Sequence, residues 1–295
     1  MVEAAKGLLR YGFCPLMLLG ANGAGLWLVA SGASKWWLLA LLGGAIGLSF
    51  AAERLLPYEE DWNRSHGDSS RDTLHALVNE AANFGTLLLL PVFTGLLAIG
   101  GVWPSAWPFV LQVLFAIIVA DAGIALAHYA SHRIDLLWRF HAVHHSVKRM
   151  YGFNGLMKHP VHQAIETIVG TTPLVLMGLP PEVATALVFC VAVQLLLQHS
   201  NVDYRVGPLR YVLAVSEVHR FHHQKDAQLG DVNFGLFTTL VDHVLGTFYY
   251  EKREEHFSSE ELGIGAEPNY PVGYLAQLAE PFRSRRPEAS LSSPA

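Results

Sequence analysis

The sequence predicts an all-α integral membrane protein: about four transmembrane helices, re-entrant or interfacial helices, and a cytoplasmic helical cap rich in histidine. Three observations carry that expectation. Charged residues make up only 15% of the chain, against about 25% in an ordinary soluble domain, and mean hydropathy is +0.30. The apolar residues are gathered into long runs, each near the length that crosses a hydrocarbon core of about 30 Å. The 15 histidines crowd at the ends of such runs. A net charge of −5 with neutral histidines offers no basic surface to nucleic acid.

The first run, "FCPLMLLGANGAGLWLVASG", begins at Phe13. Lys6 and Arg10 precede it, as they would a signal sequence, but its length and the lack of a clear cleavage site favour an anchor. The second, "KWWLLALLGGAIGLSFAA", begins at Lys35, and the third, "FGTLLLLPVFTGLLAIGGVW", at Phe84 with Pro91 as an expected kink. The fourth covers 108–128. Arg54, Arg64 and Arg71 lie between the second and third runs, and Arg133, Arg139, Lys148 and Arg149 follow the fourth. The connection "GGVWPSAWP" between the third and fourth has no charge. Cytoplasmic loops collect Lys and Arg, so both termini and the histidine-rich region are expected in the cytoplasm.

A further apolar region covers 164–200 and is broken by "LPP" at 179–181. It reads as a re-entrant hairpin or a helix pair dipping into the bilayer; two full spans would leave the topology unchanged. The end, "RSRRPEASLSSPA" from residue 283, reads as a disordered tail. Three regions result: an N-terminal transmembrane region at 1–107, a catalytic region at 108–250, and a C-terminal cytoplasmic segment at 251–295. Cys14 and Cys190 sit in apolar runs and read as packing residues.

The histidines carry the chemistry. His128 and His132 are four apart and share a helical face, as do His141, His144 and His145, and again His219, His222 and His223. His199 ends an apolar run in "LLLQHSN". Neutral imidazole is a common ligand for iron, zinc, copper and nickel, and this set is too large for one ion but suits two. The absence of a Glu-x-x-His pair argues against carboxylate-bridged di-iron bundles. His159 and His162, in "KHPVH", are weaker candidates, His159 being a ligand, a substrate contact or a loop residue. His66, His75, His243 and His256 read as ordinary loop or surface residues.

These motifs resemble the fatty acid hydroxylase/sterol desaturase superfamily of membrane di-iron enzymes. The resemblance rests on "DAGIALAHYASHRIDLLWRFHAVHHS", "QHSNVD" and "SEVHRFHHQKDAQLGDVNFGLFTTLVDHVLGTF". It implies O₂-dependent hydroxylation or desaturation of a lipid C–H bond by two iron ions on the nine boxed histidines, with zinc able to replace iron in purified protein. Fatty acid 2-hydroxylases of the superfamily carry a further histidine where this chain has Leu195, whereas "HP" at His159 resembles the sterol-oxidising, bacterial-type branch, so His159 is a tentative tenth ligand.

Metal-bound histidines usually donate their second N–H to a carboxylate or carbonyl. Asp121, seven residues before His128 in the fourth run, is the foremost candidate for that role, followed by Asp203, Asn233, Asp242 and Asn201. The chain shows no nucleotide-binding glycine motif and no haem or iron–sulfur cysteine pattern, so no bound NAD, flavin or haem is expected. Electrons would come from a separate cytochrome, ferredoxin or reductase, and the substrate from the bilayer. A metal-dependent membrane hydrolase and a metal carrier are the other readings. Ligands at helix ends rather than at the bilayer midplane count against transport.

Overall fold

The computed structural model describes residues 2–283, so the expected tail lies, beyond Arg283, outside the described residues. Among these residues the protein is helical, with β structure confined to isolated bridges such as that between Pro57 and Val202. Helix α1 (Val2–Pro15) continues through a π-helical turn, Leu16–Ala21, into α2 (Asn22–Ala30). Pro15 has no N–H to give, and the helix widens just beyond it. Then follow α3 (Lys35–Leu55), α4 (Ser69–Leu97), α5 (Phe109–Arg133), α6 (Asp135–His145), α7 (Pro160–Met177) and α8 (Pro181–Gln198). Shorter helices α9 (Ser216–His222), α10 (Ala227–Gly230), α11 (Leu240–Leu245) and α12 (Tyr274–Ala279) complete the cap.

Five stretches are long and apolar enough to cross a membrane: Lys6–Ala30, Lys35–Leu55, Ser69–Leu97, Phe109–Arg133 and Pro181–Gln198. The first four overlap the four expected runs. The fifth, α8, is 72% buried in its most apolar window, against 6% for α4. Protein rather than lipid therefore surrounds α8. The break at "LPP" is a helix C-cap: Gly178 adopts φ 88°, its N–H donates to Val175 O, and the Leu179 N–H donates to Leu174 O. That pair of bonds satisfies the last carbonyls of α7 and turns the chain into α8.

Helix α4 departs most from expectation. It begins at Ser69 rather than Phe84 and passes Pro91 without interruption. Its first half leaves the apolar layer and buries Arg71, Asp72, His75 and Asn79. Those polar groups are tolerated because they are paired. Asp72 takes Arg71 and the Tyr151 hydroxyl, and the Asn79 amide donates to Leu156 O and Lys158 O.

Two contacts place the catalytic elements. Gly123 of α5 lies so close to α7 that a Cβ there would fall 2.7 Å from Gly170 Cα. Small residues let apolar helices approach in this way. In the cap, Arg149 places its guanidinium on Asp68 at 2.8 Å, beside a cluster of Tyr58, Trp62, Met150, Phe221, Phe257 and Leu262. Both partners are buried, so the link braces the start of α4 against the segment after α6.

Candidate metal centre

Four helix ends converge beneath α5 and α8. Helix α5 ends at Arg133, and the extended Ile134 redirects the chain into α6. The two helices thus face each other with His128 and His132 on one and His141, His144 and His145 on the other. Helix α9 adds His219 and His222, His223 follows it, and His199 caps the end of α8. The nine imidazoles fall into two groups. One holds His128, His132, His141, His145 and His222; the other holds His144, His199, His219 and His223. Within each group the available ligand atoms all lie within 4.8 Å of one another. The groups adjoin, the His145 and His223 rings being 4.8 Å apart.

The donor set fits a pair of metal ions. The Nε2 atoms of His128, His199 and His222 are buried and have no hydrogen-bond partner. Their Nδ1 atoms are taken: His128 by Phe234 O at 2.9 Å, His222 by Val232 O at 2.7 Å, His199 by Asn154 Oδ1 at 3.2 Å. His144 Nδ1 likewise donates to Met157 O at 2.9 Å. These bonds put the proton on Nδ1 and leave Nε2 with a free lone pair aimed into the group. Elsewhere Nε2 atoms face each other: His145 with His141 at 3.0 Å and with His132 at 3.2 Å, and His219 with His223 at 3.2 Å. With metal–nitrogen bonds near 2.1 Å, neighbouring donors stand about 3.0 Å apart in six-fold coordination and about 3.4 Å apart in four-fold. Burial, and then the neighbouring imidazoles, pull His141, His145, His219 and His223 well below the usual histidine range; burial brings His222 to about 4 and His199 to about 3. The rings are therefore neutral at physiological pH, the form that binds metal.

The expected supporting acids sit one step further out. Asp121 meets no histidine. It accepts the N–H groups of Leu236, Phe237 and Thr238 at 2.8–3.0 Å and the Thr238 hydroxyl at 2.6 Å. Asp242 accepts the N–H groups of Phe234 and Gly235, and Asn233, at φ 58°, clamps Val218 O and Tyr249 O. Together they fix the loop 233–238, whose Phe234 carbonyl holds His128. Asp203 lies elsewhere, pairing with Arg10 and Arg205, and Asn201 binds the backbone of Glu59.

His159 joins neither group. Its Nδ1 accepts the Val161 N–H at 3.1 Å, capping α7, and its Nε2 lies 3.3 Å from Leu278 O. A helix-capping role explains the "HP" pair without a metal. His75, expected at the surface, is buried on α4 with Nε2 3.0 Å from Gln277 Oε1. His66, His243 and His256 lie outside both groups. Sequence reasoning missed Glu166 and Lys158. With His162 they border the centre: His162 Nε2 is 2.8 Å from His141 Nδ1 and 3.2 Å from Glu166 Oε1, and Lys158 pairs with Glu166. The i, i+4 spacing of His162 and Glu166 was the available signal.

Two spaces touch the centre, and a third lies along the helices away from it. A small pocket of about 10 Å³ touches both groups, lined by His128, His141, His144, His219, Lys158 and Glu166. It has about the room of one water-sized molecule. A larger cleft of about 760 Å³ reaches His132, His145 and His222 beside Trp138, Lys225 and Asp231. An apolar groove of about 490 Å³ runs between α4, α7 and α8, past Leu90, Phe93, Thr167 and Leu187.

A profile described as Fatty acid hydroxylase matches residues 113–247. The chain is 36% identical to the ornithine lipid hydroxylase OlsE of Rhizobium tropici over 239 residues, covering 78% of this chain and 71% of that one. It is 31% identical to the alkylglycerol monooxygenase of Danio rerio and 28% to that of Homo sapiens, over 50% and 52% of this chain. Those matches span 31% and 33% of the two monooxygenases, about a third of their length. No solved structure matches the chain.

Proposed function

The chain belongs to the fatty acid hydroxylase family, and from that premise we propose that it hydroxylates a polar membrane lipid, its two histidine groups holding two iron ions. Such ions, when bound, supply the activation of O₂ that attack on an unactivated C–H bond requires. The observation that carries this reading is the pair of adjoining histidine groups at the ends of the apolar helices, with a small pocket flanked by imidazoles of both. The named relatives are an ornithine lipid hydroxylase and alkylglycerol monooxygenases. Hydroxylation is therefore favoured over desaturation, and a lipid with a polar head over a bare hydrocarbon.

The protein's own residues would do three things. Backbone carbonyls of Phe234, Met157 and Val232 hold the rings of His128, His144 and His222 in the tautomer that offers Nε2. Ile124 and Leu195 complete the wall of the cavity and keep water from the reacting carbon. The apolar groove along α7 gives a lipid chain a lateral path towards the helix ends. Electrons would come from a separate cytochrome, ferredoxin or reductase. Both termini and the cap would lie in the cytoplasm.

The test is oxidation of a membrane lipid extract by purified, iron-loaded protein with a reducing system under isotopically heavy O₂. One heavy oxygen atom should appear in a lipid product, and His144→Ala and His222→Ala should abolish it. Product formed without O₂ and reductant, or carrying oxygen only from water, would instead identify a metal-dependent hydrolase.

A further inference from the structure

Nine imidazoles carry no negative charge, so two bound cations would leave a strongly positive centre in a buried site. Burying such charge without compensation is costly. Most buried acids of the cap and helix ends are committed elsewhere. Asp121 and Asp242 hold the N–H groups of the 234–238 loop, Asp68 pairs with Arg149, and Asp72 takes Arg71 and Tyr151. Glu53 takes the N–H groups of Gly152 and Asn201, and Glu217 pairs with Arg210. Asp231 stands 3.6 Å from His132 Nδ1, but it is partly exposed and bound to Arg133. Glu166 is also ion-paired, with Lys158, but its other oxygen reaches a ligand candidate through an imidazole, lying 3.2 Å from the His162 nitrogen that meets His141.

Its placement follows from helix geometry. The buried residues of α7 are His162, Glu166, Gly170 and Leu174, spaced by four. Residues at that spacing form one face. Gly170 presses this face against Gly123 of α5. The same contact carries Glu166 and His162 to α6, where His162 Nε2 reaches His141 Nδ1. For His141 to offer Nε2 to an ion, its hydrogen must sit on Nδ1, donated to His162 Nε2. Glu166 Oε1 lies 3.2 Å from that nitrogen. With its lone pair taken by the His141 N–H, that nitrogen has no hydrogen to give Glu166, so the carboxylate acts by charge alone, favouring displacement of the shared hydrogen towards His162 and more electron density on His141. Lys158, 6% exposed, clamps the other carboxylate oxygen and fixes its direction.

We propose that Glu166 is the anionic positioning residue of the five-histidine group, acting on His141 through His162, with Lys158 holding its carboxylate in place. The role that sequence reasoning gave to Asp121 falls, for this group, to Glu166. The inference rests on the histidines forming a metal centre, and its test reads ion affinity and spectrum rather than lipid oxidation.

Wild type, Glu166→Gln, Lys158→Met and the double variant are loaded with cobalt(II) and titrated with a competing chelator, with melting curves to verify folding. In wild type two ions per chain are expected. In Glu166→Gln and in the double variant, one ion should bind 10- to 100-fold more weakly, as is typical when the partner of a metal-bound histidine is lost. The cobalt absorption of that ion should shift while the other ion is unchanged. Lys158→Met should weaken that ion less than Glu166→Gln does, because the carboxylate loses its clamp but still faces His162. The double variant has no orphaned charge, so it separates lost positioning from misfolding. Wild-type affinities and spectrum in the double variant would overturn the proposal. So would equal weakening in Lys158→Met and Glu166→Gln, the mark of a purely structural ion pair. Wild-type protein that binds no ion would instead overturn the metal centre itself.

Discussion

The two histidine groups are built from the same side chain and differ in what lies behind them. The five-member group has His132, His145 and His222 on the wall of a cleft of about 760 Å³. No member of the four-member group lines that cleft, and His144, His199, His219 and His223 are at most 2% exposed. The donor spacings, 3.0–3.2 Å in the five-member group and 3.2 Å in the four-member group, do not separate the two, but the number of imidazoles does: five would leave one position free in six-fold coordination. Four imidazoles would fill a four-fold site. Closed sites of that kind hold their metal, and sites with an open position exchange ligands. One group is thus placed to meet small molecules and the other to stay fixed.

The largest effect that could break this comparison is ligand removal. His199→Ala leaves three imidazoles in a site that the large cleft does not reach. It should lose its ion outright, halving the metal content and abolishing turnover. His132→Ala leaves four imidazoles, and water from the cleft can take the vacant place. It should keep two ions while losing activity. Elemental analysis of the two purified variants decides the matter, and equal metal loss in both would erase the distinction.

A smaller effect should appear in the unmodified protein. A hydrophilic chelator enters by the cleft, so the first ion should leave at least about tenfold faster than the second, a barrier difference of about 1.4 kcal/mol. The time course would show two phases of one ion each. A single phase removing both ions would mean that the cleft gives no privileged access.

The same contrast marks what the sequence made legible. Eight of the nine histidines that the structure gathers are those whose i, i+3 and i, i+4 spacing singled them out, because helical periodicity puts them on common faces; His199 stood out only as the end of an apolar run. Their division into two groups was not legible, since His144 and His145 are neighbours in sequence yet belong to different groups. That division depends on the angle between α5 and α6, set by the break at Ile134. The partners of the far ring nitrogens were also hidden. Three are backbone carbonyls, which carry no residue signature. Asp121 drew notice as an acid in an apolar helix, and it is indeed paired, but with a loop's N–H groups rather than a ring. The lower half of α4 looked like a connection because its polar residues hid the helix, and only their buried partners make it stable.

The smallest effect concerns the cleft wall. Residues 263–267 line one side of the cleft, and the segment leading into them is tied to Lys225, whose N–H donates to Glu261 O and whose carbonyl accepts the Gly265 N–H. The Glu261 carboxylate binds Arg253 at 2.7 Å and the Ser258 N–H at 2.9 Å. Burial would raise its pKa, but the Ser258 N–H and Arg253 outweigh that and hold it below the ordinary value. A carboxyl held low contributes stability that is present above its unfolded value near 4.3 and lost as pH falls through the lower folded value. The pair is partly exposed, so solvent screening keeps the contribution below about 1 kcal/mol. Glu261→Gln should leave overall melting almost unchanged while speeding amide exchange at Lys225 and Gly265, and with it release of the first ion, by less than about fivefold. In metal-free protein the exchange difference between wild type and variant should be full at pH 6 and shrink below about pH 4 as the wild-type carboxyl takes up its proton. A difference that persists undiminished below that pH would show that the Glu261 charge does not hold the wall.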